Sequence, residues 1–438
     1  MKHCLLRIAL VIPLLACALR GEDTRPNIVL IIADDHVWSH YGFMGHGIVQ
    51  TPHLDRMAGE SLLYTRGYAT PVCSPSLAAL LTGLPPSRNG ITGNDLHATA
   101  PEAARALRKN RDPLRERLLE NKLILPKALS GAGYLTLQTG KLWNSSYKDM
   151  GFTHGMTAQR DRHGGAGLTI GREGMEPIYR FIDGALEEKK PFFVWYAPFL
   201  PHDPHNPPER LLKKYRGKGP TPHAEVYHAM VEWLDETCGQ LDNYLENKGL
   251  RENTVILYLS DNGWDPNHGY KGGRAKLTPY ENGIRTPMFV RWPGKVKPER
   301  DEQTLASILD FAPTILNVAG VKAPEQLPGL DLRDHAAMKA RKSIMVEAYR
   351  HDIMDLSNPV ESLVARTVID GWMKLIVPGP VKHHESKRNF AALTGGIELF
   401  DLKNDPLERV NLAEEKPQET ARLKAMLEAV YGAVQDPG

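Results

Sequence analysis

The sequence predicts an α/β fold, a large and mostly parallel sheet flanked by helices, followed by a small C-terminal antiparallel sheet with one helix. Three observations predict it. Short β-rich runs that are apolar throughout alternate with helical stretches over most of the chain. After about residue 340 the pattern changes to shorter, alternating segments. The chain is also long enough, with 438 residues of which 42% are apolar, to bury one large core and a second small one.

In chain order, the run 28–33 is uniformly apolar, as a strand covered on both faces must be. A helix over 52–60 follows, opened by Pro52. The next, over 75–81, lies between Pro75, suited to a first helical position, and Gly83, suited to a C-terminal stop. The alternation continues with a helix over 122–130, a strand over 134–138, a helix over 177–188 and a strand over 192–197. A long helix over 222–248, strands over 255–259 and 288–291, and a helix over 305–319 complete this part, which has the βαβ grammar of a parallel sheet. Beyond it, 363–369, 373–377 and 397–400 read as strands of a small antiparallel sheet, and 418–430 as its helix.

Lys and Arg number 54 against 52 Asp and Glu, a net charge of +2, and removal of a leader carrying Lys2 and Arg7 leaves 52 of each. A near-neutral chain makes no case for a nucleic-acid partner. Lys2 and His3 precede an apolar run interrupted by Arg7 and Pro13, too short and too broken to span a bilayer. It reads as an export signal over 1–18, placing the protein in the periplasm or outside the cell. The Leu14-Leu15-Ala16-Cys17 run also fits a lipoprotein box, with anchoring through Cys17. No other window lacks charges for long enough to form a transmembrane span. The domains expected are the leader, a catalytic unit over 25–340 and a C-terminal unit over 341–438. Of four cysteines, two fall in the leader, so the rest of the chain has no disulfide framework; a single Cys73–Cys238 bridge is the alternative.

The chemistry is expected where strands end. Strand 28–33 runs into Asp34-Asp35, and strand 255–259 into Ser260-Asp261-Asn262-Gly263. Carboxyl ends of parallel strands are where open α/β sheets bind ligands. Three carboxylates and an amide oxygen form a hard-oxygen set suited to Ca²⁺ or Mg²⁺, and no His/Cys spacing suggests zinc. Each pair alone is more often a turn or a cap. Cys73, in Cys73-Ser74-Pro75-Ser76, sits near the positive end of a short helix, which favours an oxyanion or a reactive thiol.

Taken with further segments, these residues resemble the formylglycine-dependent sulfatases of the alkaline-phosphatase-like superfamily. Arg25-Pro26-Asn27 through Asp34-Asp35 resembles the first strand and metal pair, followed by Thr51-Pro52-His53-Leu54-Asp55, and Cys73 through Leu81-Thr82-Gly83 resembles the nucleophile motif. Gly133-Tyr134 through Gly140-Lys141 resembles the first lysine segment, Ala197 through His202-Asp203-Pro204 the histidine segment, and Ser260 through Gly263 the second metal motif. Lys276 through Pro287 resembles the second lysine motif, and Glu398-Leu399-Phe400-Asp401-Leu402 belongs to a similar C-terminal unit.

The resemblance implies a sulfate-ester hydrolase acting on a sulfated small molecule or glycan. Cys73 would be oxidised by a formylglycine-generating or equivalent maturation enzyme to 3-oxoalanine, whose hydrated aldehyde attacks sulfur. Asp34, Asp35, Asp261 and Asn262 would hold Ca²⁺, with Mg²⁺ the alternative. Lys141 and Lys276 would grip sulfate oxygens, and His202 would serve the departing alcohol. Two departures stand out. Leu77 occupies the place where the family pattern has an arginine, and Trp143-Asn144 follow Lys141 where the family commonly has a histidine. Another base could serve instead, for example a histidine such as His36 or His97. The competing readings are an inactive sulfated-glycan-binding homologue, and a phosphomonoesterase or phosphonate hydrolase on the same scaffold.

Overall fold

The computed structural model describes residues 24–98, 100–110, 112–142, 145–159, 163–269, 273–381 and 396–432. The expected leader, with Cys17, and the pair Trp143-Asn144 lie outside the described residues. Among the described residues the central sheet has nine strands. Across it run Ala306–Ser307, Leu62–Tyr68, Arg285–Arg291, Thr254–Ser260, Asn27–Ala33, Phe192–Ala197, Leu135–Gly140 and His154–Gly155, with Glu299–Asp301 pairing Leu62–Tyr68. Asn27–Ala33 is central and parallel to both neighbours, in the register Ile28↔Phe193 and Ala33↔Ser260.

The apolar run of the first strand divides between two cores, which is why it does not alternate. Ile28, Leu30 and Ile32 face one cluster, with Leu77, Leu80 and Phe311. Val29, Ile31 and Ala33 face the other, with Ile178, Ile182, Met230, Leu234 and Leu241. The helices Glu176–Glu187 and Pro222–Asn247 cover that second face. The expected strand 288–291 is longer, Arg285–Arg291, and is antiparallel to both of its neighbours. The expected helix 305–319 begins instead with the short strand Ala306–Ser307 and a 3₁₀ turn capped by Ser307, so the helix proper is Phe311–Val318.

The C-terminal sheet is antiparallel and four-stranded, in the order Ser343–Tyr349, Leu363–Asp370, Met373–Pro378, Glu398–Asp401. The helix Pro417–Tyr431 covers one face through Leu423 and Leu427. Its other face meets Tyr68, Leu277, Tyr280 and Ile284 of the central unit. At that junction Lys374 is fully buried, with Nζ 3.0 Å from Glu281 Oε1 and 2.7 Å from Glu408 Oε1. Tyr280 donates to Glu398 Oε2 at 2.6 Å, and Glu281 N donates to Glu408 Oε2 at 2.6 Å. The segment from Lys276 to Glu281 is thereby held from the C-terminal side.

Removing one partner of a buried ion pair strands the other charge. Lys374→Ala, which leaves Glu281 and Glu408 facing each other, should lower the unfolding free energy by about 3–5 kcal/mol in urea titration. A loss under about 1 kcal/mol would show that the junction does not depend on this charge.

Candidate active site

All eight predicted site residues are described, and all are buried. They arrive from six segments at one edge of the sheet. Asp34-Asp35 and Asp261-Asn262 leave adjacent strands side by side because Ala33 pairs with Ser260. Asp35 has a left-handed backbone, φ 62°, a conformation costly for a residue with a Cβ. The neighbours hold it there. Tyr227 donates its hydroxyl to Asp35 O at 2.8 Å, and Asp35 N donates to Asp261 Oδ1 at 3.2 Å.

Lys141 follows Gly140, whose φ is 72° and where a Cβ would lie 1.8 Å from Ala197 O. Only glycine fits that approach, and it lets Lys141 N donate to the same carbonyl at 2.7 Å. The Lys141 ammonium then meets Asp34, at 2.8 Å from Oδ1 and 2.6 Å from Oδ2. Lys276 donates to Asp35 Oδ1 at 2.5 Å, and Asn262 Nδ2 donates to the same oxygen at 2.6 Å. Lys276 precedes Leu277, another left-handed residue at φ 71°, whose amide is tied to Pro71 O at 2.8 Å.

Cys73 is the first residue of the helix Cys73–Thr82, two positions earlier than the sequence pattern placed the start, and every residue of that helix is buried. Its Sγ lies 4.0 Å from Asp34 Oδ1. The helix is fixed by Ser74 N donating to Asn94 Oδ1 at 3.0 Å and by Ser76 Oγ donating to Asp261 O at 2.5 Å. Burial pushes the Cys73 thiol up to about 12 despite the two lysines, so the unmodified side chain is a protonated thiol. Cys73 and Cys238 are both free, which rules out the alternative of a bridge between them. Leu77 points into the apolar cluster with Leu80 and Phe311, 1% exposed.

Electrostatics call for a cation here. Burial, reinforced by the neighbouring carboxylates, raises the pKa of Asp34 and of Asp261 in spite of Lys141. Asp35 Oδ2, Asp261 Oδ2 and Asn262 Oδ1 are buried without a hydrogen-bond partner. Unsatisfied buried oxygens of this kind are rare in folded proteins, and three of them on four neighbouring hard-oxygen side chains fit a divalent ion. His202 supports the same conclusion. Its Nδ1 is 2.5 Å from Asp203 O and its Nε2 is 3.4 Å from Asp35 Oδ2. Burial, then Lys141 and Lys276, hold its pKa well below the usual range, so it is neutral, and its Nε2 lone pair faces a carboxylate oxygen.

Three residues that the sequence pattern did not single out shape the site. Arg172 spans the loop that carries His202, donating to Phe199 O at 3.1 and 2.6 Å, His202 O at 2.9 Å and Asn206 Oδ1 at 2.5 Å. Phe199 stacks on the His202 ring, centroids 4.2 Å apart, and lies 5.2 Å from the Lys141 ammonium. His163 stands edge-on to His202 at 6.0 Å, and its carbonyl accepts from Leu142 N at 3.1 Å, directly after Lys141. The one signal for His163 was the glycine-rich run after it: at Gly164 and Gly167 a Cβ would lie 2.5 Å from Gly140 O. His36 is turned away, with Nε2 on His40 O at 2.8 Å and its ring stacked on Tyr41. His97 is tied through its amide to Ile353 O, on the C-terminal side.

The Sulfatase family model matches residues 26–321. The chain belongs to the sulfatase family, whose chemistry is the hydrolysis of sulfuric esters. A second model, N-sulphoglucosamine sulphohydrolase, C-terminal, matches 268–433. This sulfatase is 29% identical over 375 residues to N-acetylgalactosamine-6-sulfatase of Mus musculus, covering 74% of this chain and 69% of that one. It is 30% identical over 361 residues to arylsulfatase A of Homo sapiens, covering 70% and 67%. It is 28% identical over 454 residues to an ulvan-active sulfatase of Formosa agariphila, covering 89% and 71%. Among solved structures, one in complex with D-glucosamine-2-N,6-O-disulfate has a TM-score of 0.70 at 22% identity, covering 92% of this chain and 97% of that one. The phosphonate monoester hydrolase of Agrobacterium radiobacter shares the fold at a TM-score of 0.66 and 17% identity, covering 93% and 95%.

Arg172 ties Phe199 O to His202 O at the end of a loop that Asp34 N also holds through Leu200 O at 2.9 Å, so Arg172→Ala should loosen His202 from Asp35. The expected result is a fall in kcat of on the order of tenfold or more with a smaller change in KM, since a misplaced group costs rate before binding. Arg172→Lys, with a single donor centre, should not restore it. An unchanged kcat would show that the loop holds itself.

Proposed function

We propose that this sulfatase is an exported enzyme that removes sulfate from a glycan, using Cys73 after its conversion to formylglycine. The observation that carries the reading is the convergence of three carboxylates, one amide, two lysines and an imidazole around a buried cysteine. Two of the relatives are named as an N-acetylgalactosamine-6-sulfatase and an ulvan-active sulfatase, which supports a glycan substrate. We also propose a leader over 1–18, a catalytic unit over 25–340 and a C-terminal unit over 341–438.

Asp34, Asp35, Asp261 and Asn262 would hold Ca²⁺, which when bound draws charge from sulfate oxygens. The hydrated aldehyde at position 73 would supply an oxygen nucleophile where the protonated thiol is a poor one. The side chains around them do the rest. Lys141 and Lys276, fixed on Asp34 and Asp35, present positive charge from two sides to a tetrahedral anion, whose charge is spread over several oxygens. His202, neutral and with its Nδ1–H directed at Asp203 O, would take up at Nε2 the proton released by the attacking hydroxyl and pass it to the departing alcohol. Phe199 and the buried walls exclude water from the charges. Leu77 offers no cationic handle to the maturation enzyme, and conversion would depend on the remaining Cys73-Ser74-Pro75-Ser76 run.

Intact-peptide mass spectrometry across Cys73, paired with turnover of an aryl sulfate and of its phosphate counterpart, tests the reading. The expected outcome is an aldehyde-bearing fraction that tracks sulfatase activity, with the phosphate ester turned over more slowly. Binding of sulfated glycan without turnover by fully converted protein would favour the inactive homologue, and faster phosphate turnover the phosphatase. Lys276→Ala should lower kcat by on the order of ten- to a thousandfold, as loss of a charge contact to the transition state does.

The metal set is tested by calorimetry. Asp261→Ala, removing one of three opposing charges, should weaken Ca²⁺ binding by on the order of a hundredfold, as loss of a metal-site partner typically does. Equal affinity in both proteins would exclude Asp261 from the set.

A further inference from the structure

At the start of the helix Cys73–Thr82, Pro75 has no N–H to offer and Ser76 N donates to Val72 O at 3.4 Å. Ser74 N, in the peptide that follows Cys73 directly, is taken instead by a side chain from another segment, Asn94, whose Oδ1 lies 3.0 Å away. Asn94 is 3% exposed, so the other end of its carboxamide needs a partner as well.

The C-terminal unit supplies that partner. Asp95–Leu96 and Asp352–Ile353 form a two-stranded parallel ribbon, in the register Asp95↔Asp352 and Leu96↔Ile353. Asn94 N donates to His351 O at 2.7 Å and His97 N to Ile353 O at 2.8 Å, which extends the ribbon at both ends. A Cβ at Gly93 would lie 2.6 Å from His351 O and 3.0 Å from Arg350 O, so only glycine admits this approach. The ribbon sets the His351 ring against Asn94, with Nε2 3.3 Å from the Asn94 Nδ2, while Nδ1 lies 2.5 Å from Asp352 Oδ1.

The direction of every bond in this chain of contacts is determined. A backbone N–H can only donate, so the Asn94 atom facing Ser74 is the oxygen and the one facing His351 is the NH₂. That NH₂ can only donate in turn, so His351 Nε2 accepts with its lone pair. The ring proton is therefore on Nδ1, where Asp352 Oδ1 accepts it. A proton on Nε2 would face the amide hydrogens of Asn94. The Asp352 carboxylate thus fixes the tautomer of His351, the imidazole fixes the amide of Asn94, and the amide fixes the peptide on which residue 73 is mounted.

We propose that His351, oriented by Asp352, is a positioning residue for the attacking group: acting through Asn94, it holds the Cys73–Ser74 peptide so that the side chain at 73 stays against Asp34, which Cys73 Sγ approaches to 4.0 Å. The inference rests on the reading of residue 73 as the nucleophile. A misplacement of about 1 Å at a reacting group is enough to cost on the order of a hundredfold in rate. The C-terminal unit thereby has a second hold on the site, separate from its grip on the Lys276 segment through Lys374.

A double-mutant cycle tests the route. Two quantities are read: hydrogen exchange of the Ser74 amide, resolved by fragmentation mass spectrometry, and kcat on an aryl sulfate divided by the converted fraction of residue 73. The first does not depend on turnover. Asn94→Ala should speed Ser74 exchange by on the order of fivefold, the factor that one neutral hydrogen bond contributes, and lower kcat by on the order of tenfold with KM within about twofold. His351→Ala should move both in the same direction, and the double variant should be no worse than Asn94→Ala alone, because His351 acts only through Asn94. His351→Gln, whose side-chain oxygen can accept in place of Nε2, should recover most of the loss, and His351→Leu, which only fills space, should not. Additive losses, an unchanged Ser74 amide in His351→Ala, or equal recovery by Gln and Leu would overturn the positioning role alone. Where Asn94→Ala does not fold, the three His351 variants decide by themselves. Converted protein with the Ser74 amide coupled to His351 but without sulfatase turnover would overturn the nucleophile reading, and the positioning role with it.

Discussion

Asp34, Asp35 and Asp261 are ionisable groups that the fold removes from water and places together, and much of the architecture follows from making that tolerable. An isolated buried carboxylate costs several kcal/mol even after relaxation. Here the cost is met by ammonium groups on Asp34 and Asp35, by an amide donor on Asp35 and by a backbone N–H on Asp261. Oxygens remain that no protein donor reaches. The fold thus stops short of satisfying its own charges, which is what a preorganised cation site requires: full satisfaction by lysine would leave nothing for a metal to gain.

Holding this cluster demands backbone geometry that side-chain-bearing residues avoid. Asp35 and Leu277 both have left-handed φ, each next to a charged group of the site. Such strain persists only where the surroundings over-determine the position. For Asp35 the restraint is the register of the two central strands together with Tyr227. For Leu277 it is the Pro71 carbonyl on one side and, through Tyr280 and Glu281, the C-terminal sheet on the other. The small sheet therefore does more than close the molecule, because its buried Lys374 and Glu408 grip the segment that delivers Lys276.

The legibility of these features in the sequence follows from how each residue acts. Asp34, Asp35, Asp261 and Asn262 stand at the ends of uniformly apolar runs, so the strand predicts the site. Lys141, His202 and Lys276 carry no such signal, and only the resemblance of their segments to the sulfatases marks them, as it does the nucleophile role of Cys73. The strand Leu62–Tyr68 is not legible in the sequence because Thr65, Arg66 and Gly67 interrupt its apolar pattern. All seven of its residues are nonetheless buried, Arg66 by bonding to Gln303 O and Gly371 O and lying against Trp372. The reversed direction of Arg285–Arg291 is a fact of topology that composition does not carry. Arg172, Phe199 and His163 act across the fold on partners distant in sequence or on a neighbouring ring, and no local spacing encodes that. Leu77 shows the converse. The sequence marks it as a departure, and the structure gives the reason it is apolar: its position faces the core.

The charge balance of the pocket bears on which tetrahedral ester it suits. Three carboxylates and two ammonium groups, with a divalent ion in place, leave one positive charge if His202 is neutral. A sulfate monoester carries one negative charge, so the two cancel. A phosphate monoester carries close to two above its second pKa of about 6, and would leave an excess negative charge in a buried site where uncompensated charge is expensive. Protonated His202 would reverse the preference by adding the missing positive charge. Burial and the two lysines keep it uncharged, so the groups that grip the anion also set the charge that the pocket will accept. A preference for sulfate on this ground would not require a contact that distinguishes sulfur from phosphorus. It would follow from a histidine whose pKa burial, and then Lys141 and Lys276, hold well below the usual range.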